Sequence, residues 1–284
     1  SLVKKKTFIL GVIIPDIEIS FYPTIIRGIE KTASSCNYRV LLFNSSYSAS
    51  EVIEGINTFS QYMVDGMIIA PVPGTEKKRI LTSIENTGIP CVFIDEYFPD
   101  SDIPYVTTDD IQGVLKAVEY LVSLGHSNIA HITGSDGDIT SINWLKGYKQ
   151  ALQKADIGFN KNLAIKGGSN RESGKIAGLK ILELRDMPTA VCCYNDNVAL
   201  GLIDLLMSKS IKVPEQISVT GYADILNMDM ARIPLTTVFQ PALDIGRTAA
   251  QLLINKVENK NYSGSSAILP VELIKRGSCT GPCK

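Results

Sequence analysis

The feature that most constrains this chain is the regular alternation of short, continuous apolar segments with amphipathic segments of helical period. The apolar segments are bounded by Asn, Asp, Pro and Gly, which is typical of strands buried on both faces of a parallel sheet. Parallel neighbours need a crossover connection, so the pattern predicts right-handed strand–helix–strand units. Strands are predicted at residues 8–14, 39–43, 66–70, 91–94, 105–108, 129–132, 163–166, 190–194 and 218–221.

The segments between these strands have the spacing of helices. Ile25, Ile29 and Ala33 recur four residues apart, which places them on one helical face. A later helix is predicted over residues 111–124, where Gly125 supplies a left-handed stop. The series runs twice along the chain, and this indicates two sheets.

The last third of the chain is less regular. A strand is predicted at residues 236–239, a helix at 242–258, and a strand broken by Pro270 at 268–274. These elements could complete either sheet. We therefore expect the chain to cross between two lobes more than once.

Composition narrows the function classes. A chain of 284 residues exceeds the size at which a single hydrophobic core usually divides, so two lobes are expected. A net charge of -1 provides no cluster of Lys and Arg to neutralise phosphates, and the chain alone is not expected to bind DNA. The six cysteines lie mostly in apolar segments, which favours a reducing compartment, the cytoplasm. No transmembrane segment, metal site or cofactor is predicted.

An enzyme is not expected. The sequence has no Gly-x-Ser-x-Gly elbow, no Walker loop and no His-Glu-x-x-His motif. His126 and His131 are the only imidazoles, and both flank a predicted turn between a helix and a strand. We expect both histidines to be structural.

A series of short motifs runs along nearly the whole chain. The motifs lie at residues 6–16, 27–30, 64–69, 124–126, 147–148, 195–196, 221–222, 235–241 and 273–278. In their order and spacing, these motifs together resemble the effector-binding part of lactose/galactose-repressor-family transcription regulators.

The resemblance implies an α/β fold of two Rossmann-like parallel-sheet lobes, joined by three crossover strands as in type I periplasmic binding proteins. It also implies a small ligand in a cleft between the lobes, a homodimer, and operator DNA bound through a helix-turn-helix domain that normally precedes this segment. The lobes are expected at residues 7–109 plus 241–267 and at 110–240 plus 268–278, with a linker remnant at 1–6 and a tail at 279–284.

The resemblance also implies ligand contacts from the first lobe. Ile19, Ser20, Phe21 and Tyr22 match the family loop that lines the cleft, where an aromatic ring can stack on the apolar face of a sugar or a base. The alternative is that the two aromatics only cap the first helix. Asp95 matches a carboxylate that accepts hydrogen bonds from ligand hydroxyls, although an Asp after a strand is also a common turn former.

In the second lobe, Asn195 matches an amide that contacts ligand, and its donor and acceptor suit a hydroxyl. The adjacent Asp196 is expected to cap the following helix. Gln240 matches a hinge residue that can face the cleft.

Two departures from the family pattern concern the ligand. Sugar-binding members often carry an arginine where this chain has Trp144, and an aspartate where it has Ala223, with Asp224 one residue later. The absence of the arginine's several donors and of the carboxylate predicts either a ligand that is less polar than usual or no ligand at all. The alternative for Trp144 is the core, because Trp144, Gly147 and Tyr148 share a helix face.

Two functions remain. The first is a cytoplasmic transcription regulator in which a metabolite, a sugar or a related compound, controls DNA binding allosterically. The second is a periplasmic solute receptor that delivers ligand to a transporter. The free cysteines and the motifs at residues 124–126 and 235–241 favour the regulator.

Overall fold

The chain divides into two compact units in the computed structural model, which describes residues 6–71, 76–134, 137–225, 232–259, 261–262 and 264–283. Unit 1 comprises Ser1–Thr108 and Pro241–Leu269, and unit 2 comprises Asp109–Gln240 and Pro270–Lys284. The chain thus passes from one unit to the other three times, after Thr108, after Gln240 and after Leu269. Most of the expected linker remnant, residues 1–5, lies outside the described part of the chain.

Unit 1 contains a six-stranded sheet in the order β11-β5-β4-β3-β1-β2, and every described strand pair in it is parallel. Its strands are β1 (Ile9–Ile14), β2 (Arg39–Asn44), β3 (Gly66–Ile69), β4 (Cys91–Ile94), β5 (Tyr105–Thr108) and β11 (Ala267–Leu269). The helices that belong to it are α1 (Phe21–Ser35), α2 (Ala49–Gln61), α3 (Lys77–Thr87) and α8 (Ala242–Glu258).

Unit 2 contains a second six-stranded sheet, in the order β12-β10-β9-β8-β6-β7. Its strands are β6 (Ile129–Thr133), β7 (Ala164–Lys166), β8 (Ala190–Cys193), β9 (Ser218–Ala223), β10 (Thr236–Phe239) and β12 (Glu272–Ile274). Its helices are α4 (Asp110–Ser123), α5 (Ile139–Lys154), α6 (Arg171–Leu182) and α7 (Asp196–Ser208). The two predicted parallel sheets are confirmed with one addition, because the edge strand β12 is antiparallel to β10.

The central strands are buried because helices cover both faces of each sheet. Every residue of β3, β4 and β8 is buried, whereas the edge strand β2 is only partly covered. In unit 2 one core cluster packs α6 and α7 onto the sheet, and another packs α4 and α5 onto it. The continuous apolar segments in the sequence are these doubly covered strands.

Two glycines allow α8 to pack closely against α1 in unit 1. A Cβ atom at Gly28 would lie 2.2 Å from the carbonyl oxygen of Leu243, and one at Gly246 would lie 2.0 Å from that of Ile25. Only glycine permits backbones to approach so closely. The helix predicted at residues 242–258 therefore joins unit 1.

The predicted strand at residues 268–274 becomes two strands that belong to different sheets. The segment before Pro270 pairs with β5 in unit 1, and the segment after it pairs with β10 in unit 2. Proline lacks the N–H that a continuous ladder would need. The sequence left open which sheet these residues complete, and they complete both.

The segment expected to be a tail, residues 279–284, packs on unit 2. Within it the carbonyl of Thr280 accepts from His126 Nε2 at 2.8 Å, and just before it Ser278 donates its hydroxyl to the carbonyl of Val219 at 2.6 Å. Burial lowers the pKa of His126, which favours the neutral ring in this contact. His126 thus holds the C-terminal segment, as expected for a structural histidine.

Candidate functional site

In unit 1 the candidate residues follow β1 at the carboxyl edge of the sheet. Phe21 and Tyr22 are the first residues of α1, they are 8% and 6% exposed, and their ring centroids lie 5.5 Å apart at 68°. Ser20 precedes the helix but its side chain makes no capping hydrogen bond, while the Ile19 carbonyl accepts from the Tyr22 N–H at 3.0 Å. The aromatic pair is mostly covered, with Ile19 and Ser20 half-buried beside it.

Tyr22 and Asp95 are brought together although they lie 73 residues apart in sequence. The Tyr22 hydroxyl donates to Asp95 Oδ2 at 2.9 Å, across the ends of β1 and β4. Asp95 itself has a left-handed backbone, with φ of 64°, and its carbonyl accepts from the Thr107 hydroxyl. Burial raises the pKa of Asp95 to about 6, and the hydrogen bond from Tyr22 opposes that rise. This carboxyl group can accept from a ligand hydroxyl next to an aromatic face.

In unit 2 Asn195 follows β8 and caps α7. Its side-chain oxygen accepts from the Val198 N–H at 2.8 Å, and its Nδ2 donates to the Ser169 carbonyl at 2.8 Å. Both amide atoms therefore have a protein partner, and each retains a further donor or acceptor position for a ligand. The expectation that Asp196 caps this helix is wrong, because Asn195 occupies the capping position.

Asp196 instead lies in the first turn of α7 with no exposed surface. Its Oδ2 accepts from the Ile225 N–H at 2.8 Å, and its Oδ1 accepts from the Thr237 hydroxyl at 2.5 Å. Burial raises the pKa of Asp196 to about 7; the hydrogen bonds from Thr237 and Ile225 lower it, and the charge of Asp224 raises it further. The sequence assigned this carboxylate only a capping role.

Ala223 and Asp224 form a left-handed turn at the end of β9, with φ of 104° and 53°. Both oxygens of Asp224 bind the Arg276 guanidinium, at 2.8 and 3.2 Å. Gln240, at the end of β10, is 8% exposed, and its N–H lies 3.5 Å from the Ala223 carbonyl oxygen. Asp224 therefore presents a neutralised ion pair and not a free carboxylate.

Trp144 lies in the hydrophobic core of unit 2, as the alternative for this residue anticipated. Its ring is 2% exposed and has centroid distances of 4.5 Å to Tyr194 and 4.1 Å to Tyr222. Its indole Nε1 has no hydrogen-bond partner among the described residues. A contribution of Trp144 to ligand binding stays a prediction, and it rests on this one donor.

The predicted residues form two groups, one in each unit. Tyr22 and Asp95 meet at the ends of β1 and β4. In unit 2, Asn195 follows β8, Ala223 is the last residue of β9, and Gln240 follows β10. Both groups lie at carboxyl edges, where open α/β sheets bind ligands.

The sequence did not single out Tyr194 and Arg276. Tyr194 directly precedes Asn195, so its position at a strand end was a usable signal. Arg276 lies in the motif at residues 273–278, but nothing in the sequence paired it with Asp224, because only the pairing of β12 with β10 places it there.

The described ranges of the chain contain no candidate metal cluster and no candidate membrane-spanning helix. No group of three or more His, Cys, Asp or Glu side chains within them could hold a metal ion. No helix in the same ranges has the length and apolar character that a membrane span requires.

Comparisons with known proteins agree with this architecture. Residues 118–279 match the family model described as a periplasmic binding protein-like domain. The repressor CytR of Escherichia coli K12 is 33% identical over 268 residues, which are 94% of this chain and 78% of CytR. The structure of the regulator CcpA of Lactococcus lactis is 30% identical and has a TM-score of 0.90, covering 97% of this chain and all of that one. A LacI-family regulator of Enterococcus faecium with bound ribose is 29% identical, with a TM-score of 0.86, over 97% of this chain and 100% of its own.

Proposed function

The chain belongs to the LacI family of transcription regulators as an effector-binding domain, and we propose that it senses a small hydroxylated metabolite, a sugar or a related compound. The observation that carries the proposal is the similarity over nearly the whole chain to regulators, one of which was solved with ribose. The same similarity favours a regulator over a transport receptor. The relatives are transcription regulators, and we propose no catalytic role.

The proposed contacts in unit 1 combine apolar faces with one carboxyl group. Phe21 and Tyr22 offer ring faces for the apolar side of the effector, flanked by Ile19 and Ser20. Asp95, held by Tyr22, accepts from a hydroxyl. This arrangement follows the usual chemistry of small-molecule sites, in which apolar surface provides affinity and a few polar groups provide orientation.

The proposed contacts in unit 2 are mainly uncharged. Asn195 and Gln240 supply amide groups, Trp144 supplies one indole N–H, and the turn of Ala223 and Asp224 supplies backbone groups. Because Arg276 neutralises Asp224, an uncharged effector suits these groups better than a phosphorylated one.

We propose that the effector acts by population shift. If it binds one arrangement of the domain more tightly than another, its differential affinity moves the equilibrium, with a coupling of about 1–3 kcal/mol. The partners we infer are a second copy of the chain, in a homodimer, and operator DNA contacted by a separate helix-turn-helix domain. The proposed location is the cytoplasm.

A thermal-shift screen tests the proposal. Ribose, hexoses, disaccharides, nucleosides and their phosphates are compared, and we expect an unphosphorylated compound to raise the Tm in a concentration-dependent manner. Phe21→Ala should then weaken its binding by roughly 1–3 kcal/mol, whereas Tyr62→Ala, a matched aromatic control that is 62% exposed, should leave affinity unchanged. Equal effects of the two variants would remove the stacking role, and stabilisation by none of the compounds would refute the effector class.

A further inference from the structure

The turn formed by Ala223 and Asp224, at the end of β9, has a backbone conformation that residues other than glycine rarely adopt. Ala223 and Asp224 both have positive φ, at 104° and 53°, and neither is glycine. A side chain with a Cβ atom crowds the backbone in this region, so such residues persist only where surrounding contacts hold them. The structure must therefore contain groups that keep this turn in place.

Two side chains from outside the turn hold it. Asp196 accepts a hydrogen bond from the Ile225 N–H at 2.8 Å, immediately after the strained pair. Arg276 binds both carboxylate oxygens of Asp224 at 2.8 and 3.2 Å, and it also donates to the Leu235 carbonyl at 3.0 Å. One contact holds the backbone of the turn and the other holds its side chain.

The second oxygen of Asp196 connects the turn to β10. This oxygen, Oδ1, accepts from the Thr237 hydroxyl at 2.5 Å. Thr237 lies in β10, and the chain crosses to unit 1 just after that strand, following Gln240. The carboxylate also lies against β9, since a Cβ atom on Gly221 would be 2.1 Å from Asp196 Oδ1. A single buried carboxylate thus contacts α7, the turn and β10 together.

We infer that Asp196 is a positioning residue: it holds the Ala223–Asp224 turn in its left-handed conformation and ties that turn to β10. Asp196 itself is fully buried and acts through the backbone of Ile225. The inference rests on the proposed function only in assigning the turn to the effector site. The contacts that define the role are all made between residues of unit 2.

Hydrogen exchange of the effector-free protein tests this role. Asp196→Ala removes the acceptor of the Ile225 N–H, and we expect the protection of that amide to fall about tenfold or more, as for loss of one charge-assisted hydrogen bond. Asp196→Asn keeps an oxygen in the same place and should restore most of the protection. Amides in the middle of β8, such as Val191, should change little.

A second pair of variants keeps the test decisive if Asp196→Ala does not fold. Thr237→Val removes the hydroxyl that donates a hydrogen bond to Asp196, and it should increase hydrogen exchange at the Ile225 amide. It should also shift the fluorescence emission of Trp144, because the Trp144 ring lies 4.1 Å from that of Tyr222, the residue before the turn. Thr237→Ser should restore both signals. The matched control for exchange is Tyr148→Phe, which removes another buried hydroxyl donor, to the Ile129 carbonyl, and should leave the exchange at Ile225 unchanged.

Two results would overturn the inference. One is unchanged exchange at Ile225 in the Asp196 and Thr237 variants; the other is an equal rise at Ile225 and Val191, which indicates general destabilisation. All these measurements are made without effector, so failure of the effector screen does not affect them. Failure here removes the role of Asp196 and leaves the proposed effector class intact.

Discussion

The indole ring of Trp144 allows a quantitative test, because packing and ligand binding predict different responses to substitution. The ring is 2% exposed and packs against Tyr194 and Tyr222. Trp144→Ala removes a large buried side chain, and we expect a loss of about 3–5 kcal/mol in the free energy of unfolding. Trp144→Phe keeps a ring against both tyrosines and should cost only about 1–2 kcal/mol.

The indole donor separates the two roles. Trp144 Nε1 has no hydrogen-bond partner among the described residues, so its removal in Trp144→Phe breaks no hydrogen bond to any of them. If the effector accepts from this N–H, the same substitution should weaken effector binding about tenfold. Trp144→Phe should then lower affinity more than its small loss of stability would suggest.

Urea unfolding at 25 °C, followed by circular dichroism, measures the stability of both variants, and effector titration measures affinity. Trp144 is the only tryptophan, so its fluorescence in the wild type reports this one position. A loss below about 1 kcal/mol for Trp144→Ala would refute the packing. An effector that stabilises the protein without changing the emission, and that binds Trp144→Phe normally, would refute the ligand contact.

Two further predictions concern Asp95 and the close contact of α1 with α8. Because burial raises the pKa of Asp95 to about 6, the stability that its protonated form provides is complete at low pH and is lost as the pH rises through 6. Tyr22→Phe removes the hydrogen bond that opposes this rise, so the pKa of Asp95 should be higher still in the variant. The Tm of the variant should therefore fall more steeply between pH 5 and pH 8 than that of the wild type. Parallel plots of Tm against pH for the two proteins would contradict this prediction. Gly246→Ala places a Cβ atom 2.0 Å from the Ile25 carbonyl oxygen and should lower the free energy of unfolding, measured in urea, by roughly 1–3 kcal/mol. The control Gly158→Ala, whose Cβ atom would meet no atom within 4 Å, should leave that free energy unchanged. Equal losses in the two variants would contradict the close packing of α1 against α8.

The local pattern of the sequence determined most of the secondary structure. Strands β4, β5 and β10 and helix α8 have the predicted bounds, and β1, β2 and β3 differ by one residue at one end. The strands were predictable because a strand that is buried between two layers of helices has to be apolar at consecutive residues, a pattern that is visible in the sequence. The family resemblance is confirmed by the comparisons, since transcription regulators match nearly the whole chain in sequence and in fold.

The candidate site was predictable only at the level of strand ends. The family resemblance located Asp95 and Asn195, each of which follows a buried strand at the carboxyl edge of its sheet. It did not distinguish Asn195 from Asp196 as the helix cap, because both side chains can accept from a backbone N–H. Which residue caps α7 depended on Thr237, which is distant in sequence and donates a hydrogen bond to the buried Asp196 carboxylate.

What the sequence by itself determined, therefore, is the set of strands and helices, their two series and the edge of each sheet at which ligand contacts are expected. The tertiary structure alone decided that Pro270 divides one segment between two sheets, that Arg276 neutralises Asp224, and that Trp144 packs in the core. The physical reason is distance along the chain. Local patterns record which face of an element is buried, whereas ion pairs and ring contacts depend on segments that meet only after the sheets have formed.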